Sequence, residues 1–215
     1  MPDIKLFHFP GACSRVTMTA LEHIGCHYED EMIDLMAGRQ REPAYLQTNP
    51  RGKVPALLVD GRLLSENGAI LLWLDSAFPD AALLPQTEDR WRRAQIVSDL
   101  FWVSSVWHPY VRANKMPVRW TTGDVDPVRE RGRELLTPCV EQLETRLGEV
   151  DWWYGDWSIV DVYFYWCYTT AEEGGFPLEA YANIARHRSA IKGLPAFQRT
   201  LVREQAAIAR QHENA

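Results

Sequence analysis

The sequence is short of cysteine, of excess positive charge and of long apolar runs, and each shortage excludes a class of protein. Its four cysteines, Cys13, Cys26, Cys139 and Cys167, form no CxxC pair and no zinc-like spacing, so we expect no metal site. A net charge of -6 argues against nucleic-acid binding, which needs concentrated Lys and Arg. No apolar run approaches the roughly 18 residues of a membrane-spanning helix. The N-terminus also lacks the pattern of a signal peptide, so we expect a cytoplasmic protein with reduced thiols and no membrane partner.

Aromatic residues, by contrast, are abundant. Nine of the 215 residues are tryptophan, and 46% are hydrophobic. The hydrophobic content is ordinary for a globular protein. The tryptophans therefore predict a large aromatic core or an aromatic-lined pocket, in one large domain or two small ones.

The first 80 residues carry the pattern of a small mixed sheet. Residues 4–8 are suited to a buried strand, Ser14 can cap a helix that ends before Gly25, and Asp60-Gly61 is a hairpin signal. The remaining predicted elements are a strand over 28–35, a helical turn over 43–48, strands over 54–59 and 62–65, and a helix from Asn67 to about 78. A strand-helix-strand unit followed by a hairpin and a helix makes an α/β domain.

Beyond position 88 the apolar residues follow a helical period, with no convincing strand. The segment 78–89 is acidic and contains two prolines, which is typical of a linker. We therefore predict an α/β domain over 1–80, a linker over 81–88 and an all-helical domain over 89–215.

Five motifs in this order resemble the glutathione S-transferase family, most closely its bacterial beta class. They are FPGACS at 9–14, NPRGKVPALL at 49–58, SENGAI at 65–70, the helical His108, and GDWSIVDVY at 155–163. The resemblance covers nearly the whole chain. It implies a thioredoxin-like N-terminal domain, a C-terminal helical bundle, glutathione as co-substrate, and a twofold homodimer.

Cys13 and Ser14 are the candidates for activating a thiol. A cysteine beside a helix start lies in the partial positive charge of unpaired N–H groups, which favours the thiolate, and Arg15 would strengthen that field. The resemblance implies that Cys13 lies against the glutathione sulfur and can form a mixed disulfide with it. Ser14 is either an ordinary helix cap or a hydroxyl that stabilises the glutathione thiolate. The sequence does not separate the two residues, and we favour Cys13.

Four residues are candidates for holding glutathione. The resemblance implies a cis bond between Val54 and Pro55, with the main chain of Val54 pairing with the cysteinyl part of glutathione. Glu66 and Asn67 precede a helix, and a helix start suits the γ-glutamyl carboxylate. Glu66 can also pair with the ammonium of the ligand. The family more often has serine where this chain has Asn67, which alters the local geometry.

His108 is the candidate in the helical region. Its spacing from Ala94, Val97, Phe101 and Ser104 predicts one shared helix face, and Pro109 predicts a disturbed helix there. A lone histidine on an apolar face is commonly a core residue, but the resemblance implies that His108 reaches toward the glutathione thiol. Trp107, Met116 and Trp166 are candidates for lining a pocket for the second substrate. Ser158 and Asp161 read as a capping box with a folding role.

Together these features predict a glutathione transferase that conjugates glutathione to small hydrophobic electrophiles, with no metal. Three alternatives stay open: a glutathione-dependent thiol oxidoreductase that uses Cys13, a glutathione-dependent lyase, dehalogenase or isomerase, and a binding module without turnover.

Overall fold

The computed structural model describes residues 2–213 of the chain. Its internal contacts separate two compact units. The first contains residues 1–83 together with 193–215, and the second contains residues 84–192.

The first unit is built on a four-stranded mixed sheet. Its strands are β1 (Ile4–His8), β2 (Glu29–Met32), β3 (Ala56–Val59) and β4 (Arg62–Ser65), in the order β2-β1-β3-β4. β1 pairs parallel with β2 and antiparallel with β3, while β3 and β4 form a hairpin. Asp60 and Gly61 both have positive φ, of 49° and 74°, which suits a tight two-residue hairpin turn. The predicted hairpin is confirmed, and so is the cis peptide between Val54 and Pro55.

Helices cover this sheet, and two of their predicted caps are wrong. The helices are α1 (Ser14–Ile24), α2 (Pro43–Thr48), α3 (Asn67–Ala77) and α9 (Pro195–Glu213). Cys13, not Ser14, is the N-cap residue of α1, and Glu66, not Asn67, is that of α3. Both predicted capping side chains instead bond to neighbouring segments. Gly25 ends α1 in the left-handed conformation, as predicted.

The last helix belongs by its contacts to the first unit. The guanidinium of Arg203 on α9 donates to Glu22 at 2.6 Å and to Asp30 at 2.8 Å. Arg210 donates to the same Asp30 carboxylate at 2.7 Å. The sequence predicts one helical domain over 89–215, and α9 is included in it because its residues follow a helical period. Its partners lie more than 170 positions earlier in the chain, so no local pattern indicates where it packs.

The regular secondary structure of the second unit, residues 84–192, is helical. It contains α4 (Arg90–Trp102), a π-helical turn (Val103–Trp107), α5 (His108–Lys115), α6 (Asp126–Glu149), α7 (Ile159–Glu173) and α8 (Ala182–Gly193). The predicted capping box of Ser158 and Asp161 is confirmed at the start of α7. The buried Asp161 carboxylate also accepts the Trp153 N–H at 2.8 Å, so it joins the start of α7 to the preceding loop.

The π turn corrects the prediction of a face shared by His108 and the residues before it. The His108 N–H bonds to the Val103 carbonyl, five residues back, so one extra residue is inserted into the turn. This shifts the helical phase: Phe101 is 65% exposed, whereas His108 is half-buried. Pro109 has no N–H to donate and lies in the first turn of α5, directly after this disturbance. None of the helices in residues 2–213 is long and apolar enough to cross a membrane.

Candidate functional site

The Cys13 thiol lies in the first unit between the start of α1 and the strand that begins after the cis-proline. Its Sγ donates to the Val54 carbonyl at 3.5 Å. The Cys13 carbonyl in turn accepts the Asn67 side-chain N–H at 2.9 Å. The side chain of Cys13 is buried, with 6% of the residue exposed. Three predicted site residues are therefore brought into one hydrogen-bonded chain.

The hydroxyl of Ser14 is committed within the protein. Its Oγ accepts the Phe9 N–H at 3.1 Å and donates to the Phe9 carbonyl at 3.2 Å. Ser14 is fully buried. These bonds fix the Phe9-Pro10 loop, and they favour Cys13 over Ser14 as the group offered to a ligand.

The sequence predicts that Arg15 adds a positive charge beside Cys13, but in the structure this charge is compensated. Its guanidinium donates to both carboxylate oxygens of Glu204 on α9, with the shortest distance 2.6 Å. The same carboxylate accepts the Gly11 N–H at 3.1 Å. Glu204 is 4% exposed and was missed by the sequence reasoning, because its partners are nearly 190 positions away. The helix start therefore remains as the field that acts on the thiol.

Glu66 and Asn67 form the start of α3. Glu66 has φ of 74°, a strained value for a residue with a side chain, and such strain is concentrated at functional sites. Its carboxylate is 61% exposed and pairs with Arg51 at 3.2 Å. The Asn67 amide is used internally: it donates to Cys13 and accepts the Thr17 hydroxyl at 2.7 Å. Asn67 thus fixes Cys13, and the first N–H groups of α3 are the part of this corner available to an anion.

The other predicted site residues lie in the second unit, where His108 is surrounded by side chains. Its Nδ1 lies 3.2 Å from the Tyr163 hydroxyl, and its Nε2 accepts the Arg112 Nε–H at 3.3 Å. Since guanidinium only donates, Nε2 carries no proton, and Nδ1–H donates to Tyr163. The imidazole ring is 4.5 Å from the indole of Trp166. The His108 ring is therefore held in place by Tyr163, Arg112 and Trp166.

Arg112 joins the predicted second-substrate residues to His108. Its guanidinium lies 5.1 Å from the Trp166 ring centroid, and its Nη1 donates to the Met116 sulfur at 3.6 Å. Its spacing of four from His108 was a signal that the sequence reasoning passed over. Trp107 is fully buried against Trp102 and Phe164, and Trp166 is 1% exposed, so the structure places both of these predicted pocket residues in the core.

The cysteines differ in chemistry although three of them are similarly buried. Cys13, Cys26 and Cys139 are 6%, 8% and 7% exposed. Burial raises the pKa of Cys139 to about 11 and also raises the pKa of Cys26. The four cysteines form no disulfide, and the described side chains, those of residues 2–211, contain no cluster of metal-ligating groups.

The strand order β2-β1-β3-β4 is combined in the first unit with a cysteine at a helix start, whose thiol bonds to the residue before a cis-proline. These features define a thioredoxin-like unit. An all-helical unit follows it in the chain. The class of protein is therefore a thioredoxin-like domain joined to a helical one.

Comparison with known proteins identifies the family. A family model described as glutathione S-transferase, N-terminal domain, matches residues 2–76. The chain is 32% identical over 201 residues to the maleylacetoacetate isomerase of Pseudomonas aeruginosa, covering 91% of this chain and 94% of the relative. A solved sphingomonad glutathione S-transferase complexed with glutathione is similar, with TM-score 0.82, 29% identity, and 94% and 98% of the two chains covered. The bacterial beta class enzyme of Sphingomonas chungbukensis gives TM-score 0.82 and 29% identity, with 93% and 98% covered. The chain belongs to the glutathione S-transferase family.

Proposed function

We propose that this protein is a glutathione transferase that joins the sulfur of glutathione to a small electrophile. The observation that carries the proposal is the link between the Cys13 sulfur and the Val54 carbonyl at the cis-proline. It puts a thiol at a helix start beside a main-chain segment that can pair with the cysteinyl part of glutathione. The start of α3, with Glu66, offers N–H groups to the γ-glutamyl carboxylate and a carboxylate to the ammonium.

The reaction requires a thiolate and a leaving group. The glutathione thiol loses its proton to solvent, and its sulfur forms a bond to the electrophilic carbon. The leaving group, such as chloride, departs with the electron pair of the bond that breaks. The first unit contributes orientation and a positive electrostatic environment for the anion. The proposed contact for the second substrate is Met116, with His108 and Arg112 beside it.

The test measures binding and turnover separately. Isothermal titration should show heat with millimolar glutathione, and 1-chloro-2,4-dinitrobenzene should give the thioether product. Cys13→Ala should lower kcat/KM by at least roughly tenfold, as expected when a group that stabilises the developing charge is removed. Cys139→Ala is the matched control, because Cys139 is equally buried in the other unit. Binding without turnover of any electrophile would instead favour a non-enzymatic module.

A thiol oxidoreductase is the second candidate, and the position of Cys13 favours it. In that reaction the Cys13 thiolate attacks oxidised glutathione, forms a mixed disulfide, and releases one glutathione thiolate. Mass spectrometry after treatment with oxidised glutathione would then show an adduct on Cys13, and Cys13→Ala would lose all thiol exchange. Conjugation that persists without an adduct would argue against this candidate.

An isomerase is the third candidate, favoured by the relative from Pseudomonas aeruginosa that matches over nearly its full length. Here the glutathione thiolate adds to one carbon of a conjugated double bond, which becomes a single bond as its electron pair moves to the carbonyl oxygen. Rotation about this former double bond and departure of the thiolate then restore the double bond in the trans form. Incubation with maleylacetoacetate and catalytic glutathione would give the trans isomer and no thioether. A thioether as the final product would support the transferase instead.

We also propose a homodimer. Trp91 and Phe101 on α4 are 72% and 65% exposed, with the small Ala94 and Ser98 between them at heptad spacing. An exposed stripe of this kind is suited to a twofold contact with a second copy. Light scattering should give about twice the 24.7 kDa chain mass. Trp91→Glu/Phe101→Glu should give monomers, and an unchanged mass for that variant would place the contact elsewhere.

A further inference from the structure

We propose that Arg112 binds a carboxylate of the second substrate, so that the preferred electrophile is an anion rather than a neutral hydrophobic molecule. This inference rests on the proposed transferase function and narrows its substrate class. It starts from the contacts of one half-buried guanidinium in the second unit.

The partners of Arg112 leave its charge uncompensated. Its donors meet the nitrogen of His108 and the sulfur of Met116, and its plane lies over the Trp166 ring. None of these groups carries a negative charge. Among the side chains of residues 2–211, no carboxylate lies at salt-bridge distance from Arg112, and its Nη2 has no hydrogen-bond partner there.

Three other half-buried arginines of the same unit are satisfied by oxygen. Arg188 pairs with the Glu172 carboxylate, with one contact at 2.9 Å. Arg129 and Arg133 donate to carbonyl and amide oxygens of the chain. A guanidinium is charged at every physiological pH, and a carboxylate is the partner that matches its paired donors. Arg112 therefore lacks the kind of partner that the protein gives its neighbours.

The position of Arg112 is fixed by His108 and by the buried ring of Trp166. Its Nε is held by His108, whose ring packs on Trp166 at 4.5 Å. Trp166 is 1% exposed, so the aromatic surface beneath the guanidinium is rigid core. A cation held in this way needs little reordering when it meets an anion, so less affinity is lost on binding.

The carboxylate has two possible sources, the electrophile and glutathione itself. We assign it to the electrophile, because Arg112 contacts Met116, the remaining second-substrate candidate. The alternative predicts a change in the KM for glutathione and no discrimination between charged and neutral electrophiles. The experiment separates these outcomes.

The probes are 4-chloro-3,5-dinitrobenzoate and its methyl ester, which undergo the same loss of chloride but differ in charge. After correction for their uncatalysed rates, the wild-type protein should favour the acid. Arg112→Gln should lower kcat/KM for the acid by about tenfold or more and for the ester by less than about threefold, as expected for a lost charge-assisted hydrogen bond. Arg112→Lys should recover part of the activity toward the acid.

Arg92→Gln is the matched control, because Arg92 also lies 5.1 Å from an aromatic centroid, that of Tyr154, but away from His108. It should leave the ratio of acid to ester unchanged. Equal losses for acid and ester in Arg112→Gln would overturn the proposal. A raised KM for glutathione with an unchanged ratio would also overturn it, in favour of the glutathione carboxylate.

A binding measurement keeps this inference separate from the proposed function. If the wild-type protein turns over neither these probes nor 1-chloro-2,4-dinitrobenzene, the transferase proposal fails. Titration with unreactive 3,5-dinitrobenzoate and its methyl ester then still tests Arg112. Tighter binding of the acid, lost in Arg112→Gln and retained in Arg92→Gln, supports the site, and equal affinities reject it.

Discussion

The two units hold their candidate site residues in opposite ways. In the first unit the polar side chains around Cys13 are used inside the protein: Ser14 bonds to Phe9, Asn67 to Thr17 and the Cys13 carbonyl, and Arg15 to Glu204. In the second unit the cluster of His108, Arg112, Met116 and Trp166 keeps a cation without a counter-charge.

This difference indicates two kinds of recognition. A site that offers main-chain groups and one thiol suits a ligand that does not vary, because substituting surrounding side chains leaves the main chain in place. A site made of side chains changes the ligand that it prefers with each substitution of a side chain. A constant glutathione and a variable electrophile fit this division, and four predictions test it.

The largest effect is expected from Arg15→Gln in the first unit. The substitution leaves the Glu204 carboxylate buried with the Gly11 N–H as its remaining partner. Breaking a buried ion pair from one side costs about 3 kcal/mol or more, so urea unfolding should show a loss of that order. The exposed pair of Arg131 and Glu134 is the control, and Arg131→Gln should cost less than about 1 kcal/mol. Equal losses in the two variants would show that Glu204 does not hold the Cys13 loop.

Asn67→Ala should have the next largest effect. It leaves the Cys13 carbonyl and the Thr17 hydroxyl without their partner, at a cost of about 2 kcal/mol in unfolding free energy. Because the Cys13 segment loses its anchor, the KM for glutathione should rise as well. Thr17→Val removes one of the two bonds and should cost about half as much. A destabilised Asn67→Ala protein with an unchanged KM would limit Asn67 to a folding role.

Acid should weaken the contact between α9 and β2 inside the first unit. Hydrogen bonding from His8, together with Arg203 and Arg210, lowers the pKa of Asp30 from 3.8 to about 2. A lowered folded pKa gives stability that is present above about pH 4 and is lost as the pH falls toward 2. The loss should be about 1 to 2 kcal/mol in unfolding free energy.

Asp30→Asn tests this assignment, because it removes the titrating group. The variant should be less stable at neutral pH and should lose less on acidification than the wild type. Asp156→Asn, an exposed site in the second unit, should retain the wild-type acid dependence. Parallel acid curves for the wild type and Asp30→Asn would show that other groups cause the loss.

The smallest effect compares thiols of the two units. Cys13 and Cys139 are about equally buried, so a difference in alkylation reports thiolate formation rather than access. Cys13 lies at a helix start, whereas burial raises the pKa of Cys139 to about 11. Iodoacetamide followed by peptide mass spectrometry should show Cys13 reacting about tenfold faster at neutral pH, a difference of about 1.4 kcal/mol. Faster modification of Cys139 would contradict the assigned role of Cys13.

The sequence by itself determined the elements whose signals are local. The Asp60-Gly61 turn, Gly25 and the capping box of Ser158 each act within a few residues, and their partners are adjacent in the chain. The cis Val54–Pro55 bond and the family were predicted from motif order, because short motifs keep their spacing.

Tertiary structure alone decided what the polar side chains contact. Asn67 carries the same capping signal as Ser158, but its side chain bonds to Cys13, which folding brings to it across 54 positions. Glu204 meets Arg15 across 189 positions, and α9 meets the sheet in the same way. The π turn before His108 rotates the helix and places Arg112 beside Trp166. Such choices depend on long-range packing, whose free energy exceeds that of a local cap and leaves no periodic trace in the sequence.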